Sequence, residues 1–358
     1  MPSVVSITGL VQRAAANAGF DLSGVAAVSR FAELDYFPGW IASGHGGEMR
    51  YLESRGESGE LKRASLADVA PWARSVIVCA INYNADAPRS VDLPSTDDHQ
   101  PSANFGWISR YAWTDEDYHN SVLRRLRAVE SKLKEHAPEA ETRCYVDTGP
   151  LLERVWAKYA GVGWQGKNTC IINQRIGSWI FLGVILTSLE LEPSLPAPDC
   201  CGTCTRCIDA CPTDAFIAPY QMNATRCIAY LTIEKRGEIA EELRAGMGRH
   251  VFGCDICQDV CPWNRRAPAS TAPEFAPREE LVNPALEWLA AMNEQEFRET
   301  FRGSPVKRAK YAGLRRNVAV AMGNSRDRRF VPTLEKMAEE DDVMVAEHAR
   351  WALKKIRD

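Results

Sequence analysis

What this chain lacks narrows its function first. Its apolar stretches fall well short of the ~20 residues that a membrane-spanning helix needs, so no membrane partner is expected. No charged leader followed by an unbroken apolar stretch stands near the start of the sequence. That argues against secretion and for a cytoplasmic chain whose thiols stay reduced. No GxGxxG loop follows the first expected strand, and no GxxxxGK[ST] loop occurs, so neither a dinucleotide fingerprint nor a P-loop supports a nucleotide cofactor. The glycine-rich run from Gly161 to Asn168 (GVGWQGKN) has no expected strand directly before it.

Cysteine, by contrast, is plentiful, with 12 in 358 residues. Cys201, Cys204, Cys207 and Cys211 read CxxCxxCxxxC and are followed by Pro212, and Cys254, Cys257 and Cys261 repeat the pattern before Pro262, with Cys227 upstream. This is the bacterial ferredoxin run, in which the fourth thiolate ligates the other cluster. The crossing assigns Cys201, Cys204, Cys207 and Cys261 to one [4Fe–4S] cluster, and Cys211, Cys227, Cys254 and Cys257 to a second. Structural zinc is the competing reading of paired CxxC units, but a zinc ribbon has no use for a third CxxC-spaced thiol followed by Cys-Pro. Cys79, Cys144 and Cys170 sit in apolar runs and read as core residues, since free cysteine packs as a small hydrophobe. Cys200 is a spare neighbour of Cys201.

Length and the 45% hydrophobic content allow several domains with a real core. An amphipathic helix is expected from Ser6 to Ala18, with Ser6 as its N-cap. Gly24–Val28 and Ser75–Asn82 read as strands, the second buried on both faces because its apolar run is continuous. Leu66–Ala73 is a short helix, Asp86–Gly106 a long Pro- and Asp-rich loop, and Asp115–Glu135 a second amphipathic helix. The strand from Thr142 to Asp147 ends on an acid, and Pro150 suits the first turn of the helix that follows. Thr169–Asn173 and Ser178–Thr187 pair as a hairpin. The expected fold class is α+β and multidomain. It comprises an α/β domain over residues 1–191, a ferredoxin-like domain over 192–266 and a helical region over 267–358. In the last, Ala321 and Met322 recur as Ala352 and Leu353 at a period near 31 residues, which looks like HEAT-type helical repetition.

Charge is unevenly spread. Between Arg302 and Arg329 lie nine basic residues and one acid, a surplus of +8 that leaves −12 for the rest of a chain whose net charge is −4. A basic patch on an acidic protein suits a polyanionic partner.

Six stretches together resemble the epoxyqueuosine reductase family: VDTGPLLER from Val146, GVGWQGKN from Gly161, CGTCTRCIDACPTDA from Cys201, RCIAYLTIE from Arg226, FGCDICQDVCPWN from Phe252 and SPVKRAKYAGLRRNVAVAMGN from Ser304. The resemblance implies a cobalamin-dependent oxidoreductase of tRNA modification, with a cobalamin domain like that of reductive dehalogenases. It would reduce wobble-position epoxyqueuosine to queuosine with two electrons and two protons. It further implies Asp147 as proton donor, kept protonated by desolvation between corrin and nucleoside. Arg63, Ser109, Lys167, Asn168, Ile171, Asp255 and Ile256, with Asp147, are the implied cobalamin contacts. Some relatives carry cysteine where Ser109 stands. Asp117 to Val122 only approaches the DxHxxG cobalamin motif, so His119 reads as an ordinary helix residue.

The basic tail then becomes a tRNA surface, with Lys235, Arg308, Lys310, Arg315 and Arg316 on phosphates and the modified base splayed into the pocket. A monomer served by an external electron donor is expected. The competing functions are a reductive dehalogenase, which normally carries a twin-arginine leader, and a ferredoxin-like electron carrier, which leaves Asp147 and the basic tail without a purpose. Two clusters predict about eight iron and eight labile sulfide per chain in anaerobically prepared protein. Stoichiometric zinc in a colourless preparation would restore the ribbon.

Overall fold

The strand Ser75–Asn82 is buried along its whole length. Its residues alternate between two cores, because successive side chains of a strand point to opposite faces. Ile77, Cys79 and Ile81 join one, and Val76, Val78 and Ala80 the other. The computed structural model describes residues 7–87 and 104–358, so the Ser6 cap and most of the Asp86–Gly106 loop lie outside the described residues. Around this strand a four-stranded sheet forms in the order Leu22–Ala27, Ser75–Asn82, Ile180–Thr187, Thr142–Tyr145. Every pairing in it is antiparallel. The expected α/β arrangement of the first domain is therefore corrected to α+β. A continuous apolar run reports burial on both faces, not strand direction.

One face carries the helices Ile7–Asn17 and Tyr118–His136, through Val11, Ala15, Val122, Leu126, Val129 and Leu133. The long helix can approach because Gly183 has no side chain; a Cβ there would lie 2.7 Å from Leu126 Cδ1. The opposite face is covered by the helix Glu153–Tyr159, through Val155, Trp156 and Ala157. That helix begins three residues after Pro150, with Leu152 as its N-cap, so Asp147 is not its cap. The expected hairpin forms only at its tip, where Asn173 bridges Gly177. Ile171–Ile172 turns back onto Trp164–Gln165 instead, which leaves Ile180–Thr187 free to fill the centre of the main sheet.

The segment with the cluster cysteines does not stand apart. Its strand His250–Phe252 pairs in parallel with Trp107–Ile108, and Val251 and Phe252 share a core with Trp113 and the C-terminal helices. The helix Tyr311–Ser325 is enclosed from Gly313 to Gly323. Against it packs Val343–Arg357, so closely that a Cβ on Gly323 would meet the Ala352 Cα at 2.7 Å.

This enclosure overturns the phosphate role expected for two arginines. Arg316 is 0% exposed. Its guanidinium donates to the carbonyls of Leu231 (2.7 Å), Lys235 (2.9 Å) and Gly237 (2.7 Å) and to Asn317 Oδ1. Arg315 is buried as well, paired with Glu340 and donating to the Ala290 carbonyl at 2.7 Å. Every donor of Arg316 is engaged within the protein, and Arg315 is turned inward onto Glu340 and the Ala290 carbonyl. Replacing Arg316 with Met would strand several buried carbonyls, each costing about 1–3 kcal/mol. The expected result is a thermal midpoint several degrees lower for the cluster-loaded protein. An unchanged melting curve would remove Arg316 from the fold's supports.

Candidate active site

Between the sheet edge, the cluster segment and the basic tail opens a cleft of about 2260 Å³. That is more than twice the roughly 300–1,000 Å³ of an ordinary small-molecule site, enough for two large groups at once. Its wall includes Ile171, Ile180 and Phe181, its depths reach Cys227, and its rim carries Lys307, Arg308 and Lys310.

Asp147 projects into this cleft from the loop after the edge strand Thr142–Tyr145. Its backbone is left-handed, with φ 55°, and its N–H donates to Glu153 Oε1 at 2.7 Å. Glu153 is half-buried; burial and the neighbouring Asp147 charge push its carboxyl up to about 8. The Asp147 side chain is 54% exposed within the open cleft, with Oδ2 lying 3.5 Å from His119 Nε2 and 4.0 Å from Arg308 Nη1. Burial works against its charge, but His119 and Arg308 outweigh it and hold the carboxyl below its ordinary value. The protonated acid expected from the sequence is one enclosed between corrin and nucleoside; in the open cleft Asp147 is held ionised. The reason is His119, which sequence reasoning passed over.

His119 sits in the first turn of the helix Tyr118–His136, whose N-cap is Asp117. The Asp117 carboxylate accepts from the His119 backbone N–H at 3.1 Å and lies 2.5 Å from its Nδ1. Burial disfavours the imidazolium, but the Asp117 and Asp147 carboxylates together raise its pKa to about 9. The Asp-x-His spacing that only approached a cobalamin motif was thus the one sequence signal for this dyad.

Of the expected cobalamin contacts, Arg63, Asp147 and Ile171 line the cleft. Arg63 lies over the Tyr51 ring at 5.6 Å and donates to the Leu151 carbonyl, while its buried Nε has no hydrogen-bond partner. Lys167, Asn168, Ser109 and Asp255 are engaged elsewhere. Lys167 Nζ donates to the carbonyls of Gly202 (2.7 Å) and Cys204 (3.0 Å), and Asn168 to that of Cys257. Ser109 donates to the buried Asp255, which also accepts the Arg110 N–H at 2.7 Å. These four residues hold the cysteine loops from behind. Ile256 packs with Cys227 and Cys254.

The cysteines fall into two neighbourhoods. Cys207 faces Cys201, Cys204 and Cys261, and the Trp164 indole donates to Cys201 Sγ at 3.4 Å. Cys254 faces Cys211 and Cys227. Cys79 is the core residue expected, with its thiol pushed up to about 12 by burial. Cys170 is not a plain core residue, because it is only partly buried and lines the cleft.

Comparison with known proteins agrees with this geometry. A family model described as a 4Fe-4S double cluster binding domain matches residues 200–264, and one described as epoxyqueuosine reductase QueG matches residues 63–148. An epoxyqueuosine reductase of Xanthomonas campestris is 36% identical over 353 residues, covering 98% of this chain and 97% of that protein. The chain belongs to the epoxyqueuosine reductase family. Its relative in Synechocystis is 42% identical over 280 residues, covering 78% of this chain and 91% of that one. A crystal structure of an epoxyqueuosine reductase with an epoxyqueuosine-modified tRNA-Tyr stem loop superposes with TM-score 0.84 at 31% identity, covering 97% of this chain and 89% of that one. A Bacillus subtilis family member, with its catalytic loop swung out of the active site, superposes with TM-score 0.83 at 30% identity, with the same coverage of both chains.

The hydrogen bonds of Lys167 separate its two roles. Lys167→Met is expected to lower iron content and hasten bleaching of the clusters in air while leaving cobalamin affinity unchanged. Weakened cobalamin binding with full iron content would return Lys167 to the corrin.

Proposed function

We propose that this chain reduces epoxyqueuosine in the anticodon loop of tRNA to queuosine, using cobalamin and two [4Fe–4S] clusters. The single observation that carries the reading is the shared cleft. A proton-handling pair, Asp147 with His119, and a cluster thiolate, Cys227, open onto one space large enough for a corrin and a nucleoside. Removing the epoxide oxygen as water needs two electrons and two protons, and those are the two supplies the cleft joins. A ferredoxin-like carrier would need neither the cavity nor the acid.

The residues present fit cobalamin. Arg63, with an unpartnered buried Nε, and Tyr51 lie on one side of the cleft, and Ile171, Ile180 and Phe181 supply an apolar wall suited to a macrocycle. When bound, cobalamin supplies electrons to the epoxide carbon. The chain's own residues do the rest: Cys201, Cys204, Cys207 and Cys261 hold one cluster, and Cys211, Cys227, Cys254 and Cys257 hold the other, beside the cleft. Asp147 donates protons to the leaving oxygen. An external one-electron donor feeds the clusters of a cytoplasmic monomer.

Recognition of RNA falls to the exposed Lys307 and Lys310 at the rim and to Arg308, 39% exposed, which pairs with Glu234 at 2.7 Å and leans over the Tyr51 ring. Lys235, paired with Glu48, flanks them. The C-terminal helices that carry this rim stack as a short HEAT-type array.

Anaerobic incubation with cobalamin, a strong reductant and tRNA carrying epoxyqueuosine should yield a nucleoside lighter by one oxygen. Persistence of the epoxide would reject the reading. Asp147→Asn should keep both clusters and bind cobalamin, yet lose about 10²–10⁴ in rate. Lys307→Ala with Lys310→Ala should weaken tRNA binding and flatten its salt dependence by roughly 0.7–0.9 in log–log slope per lost contact. An unchanged slope would move the RNA surface elsewhere.

A further inference from the structure

The reaction needs two protons at one oxygen, and a single carboxyl group holds only one. Asp147 moreover rests ionised, so its proton has to arrive from behind. Among the described residues lining the cleft, His119 contributes the only imidazole. Its ring is held on two sides. Asp117 takes Nδ1 at 2.5 Å, the Tyr118 ring stacks on it at 4.1 Å, and Tyr118 in turn lies flat on Phe181 at 4.2 Å. The remaining nitrogen, Nε2, is buried without a hydrogen bond and faces Asp147 Oδ2 at 3.5 Å. That is slightly long for a hydrogen bond, as catalytic contacts often are before substrate binds.

We propose that Asp117 and His119 form a proton relay that recharges Asp147. Asp117 orients the imidazolium, and the Nε2 proton passes to Asp147 Oδ2 each time Asp147 protonates the leaving oxygen. The inference rests on the reading of Asp147 as proton donor. In each pass the Nε2–H bond breaks as an Oδ2–H bond forms, and the Asp147 O–H breaks as an O–H forms on the substrate oxygen. Neutral His119 then takes a proton from solvent. Two passes deliver two protons, both C–O bonds of the epoxide break, the alkene forms, and water leaves. The two electrons come from the external reductant through the clusters and cobalamin.

The charged surroundings favour this direction. Facing the imidazole are Asp117 from its own helix start and Asp147 from the strand-end loop. Arg308 reaches the same Oδ2 from the tail, and the protonated Glu153 lies behind the loop. The two carboxylates outweigh burial and keep His119 charged until about pH 9. When corrin and nucleoside fill the cleft and displace much of its water, the separated charges of the pair become costly. The neutral form, imidazole with carboxylic acid, gains relative to the ion pair. Substrate binding therefore moves the proton onto the acid that uses it.

His119 acts through Asp147, so the test needs readouts that a structural role would not move. In cluster-loaded protein without cobalamin, the His119 ring resonance, assigned by its loss in His119→Gln, should titrate near pH 9. It should shift toward the ordinary ~6.5 in Asp117→Asn and in Asp147→Asn. In turnover with epoxyqueuosine tRNA, the wild-type rate should be high below that pKa and fall above it, as the imidazolium loses its proton. His119→Gln should lower kcat about 10²-fold, keep the KM for tRNA, and abolish this alkaline limb. Asp117→Asn should move the limb to lower pH.

The relay is overturned by a wild-type kcat in His119→Gln, by a lower kcat with the alkaline limb intact, or by a wild-type resonance that titrates at the ordinary value. Full turnover by Asp147→Asn would instead reject the underlying reading. An inactive Asp147→Asn beside a normal His119→Gln rejects the relay alone.

Discussion

The enclosed guanidinium of Arg316 is the tie on which the working geometry depends. It gathers the carbonyls of Leu231, Lys235 and Gly237, all in the stretch just after Cys227, and fixes them to the C-terminal helix Tyr311–Ser325. Asn317 extends the tie, donating to the carbonyls of Thr232 and Val251 at 2.9 Å each. A buried arginine is stable only when its donors are satisfied, so these segments must come together in one register or not at all. That register brings the turn Pro305–Ala309 over the cleft and lets Arg308 reach Asp147, which is distant in sequence and belongs to a different sheet-edge loop.

On the proposed function, electrons and protons would enter the cleft from different sides. The cysteine loops stand behind the wall, anchored by Lys167, Asn168 and the Ser109–Asp255 pair. The acid stands on the sheet side, with the imidazole of the long helix beside it. Keeping the two supplies apart suits a reductive chemistry, since protons delivered directly to a low-potential centre would be reduced in place of the substrate.

Much of this was legible in the sequence where a residue's chemistry is local. Cysteine spacing marks the cluster segment because ligation requires short loops. The continuous apolar run of Ser75–Asn82 marks a doubly buried strand, because side chains flip at every residue and both faces are therefore apolar. Partnering was not legible. Nothing in a run such as SVIVCAIN distinguishes parallel from antiparallel neighbours. The Arg315–Arg316 pair reads as surface charge because composition is blind to the carbonyls that a distant segment will present. Likewise Asp147 reads as an acid until His119, 28 positions earlier, is folded against it. Charge on a sequence is a property of residues, whereas protonation is a property of neighbours.

The left-handed backbone at Asp147 carries one more consequence. A non-glycine residue in that region is disfavoured by about 1–2 kcal/mol, and here the strain is offset by the Glu153 contact to its N–H and by the ionic neighbours of its side chain. The loop is thus a sprung element held by the same groups that equip it for chemistry. Were this loop to leave the cleft, Asp147 and His119 would part in the same movement. On the proposed function position and competence would then be interlocked, because an open site would also be a disarmed one.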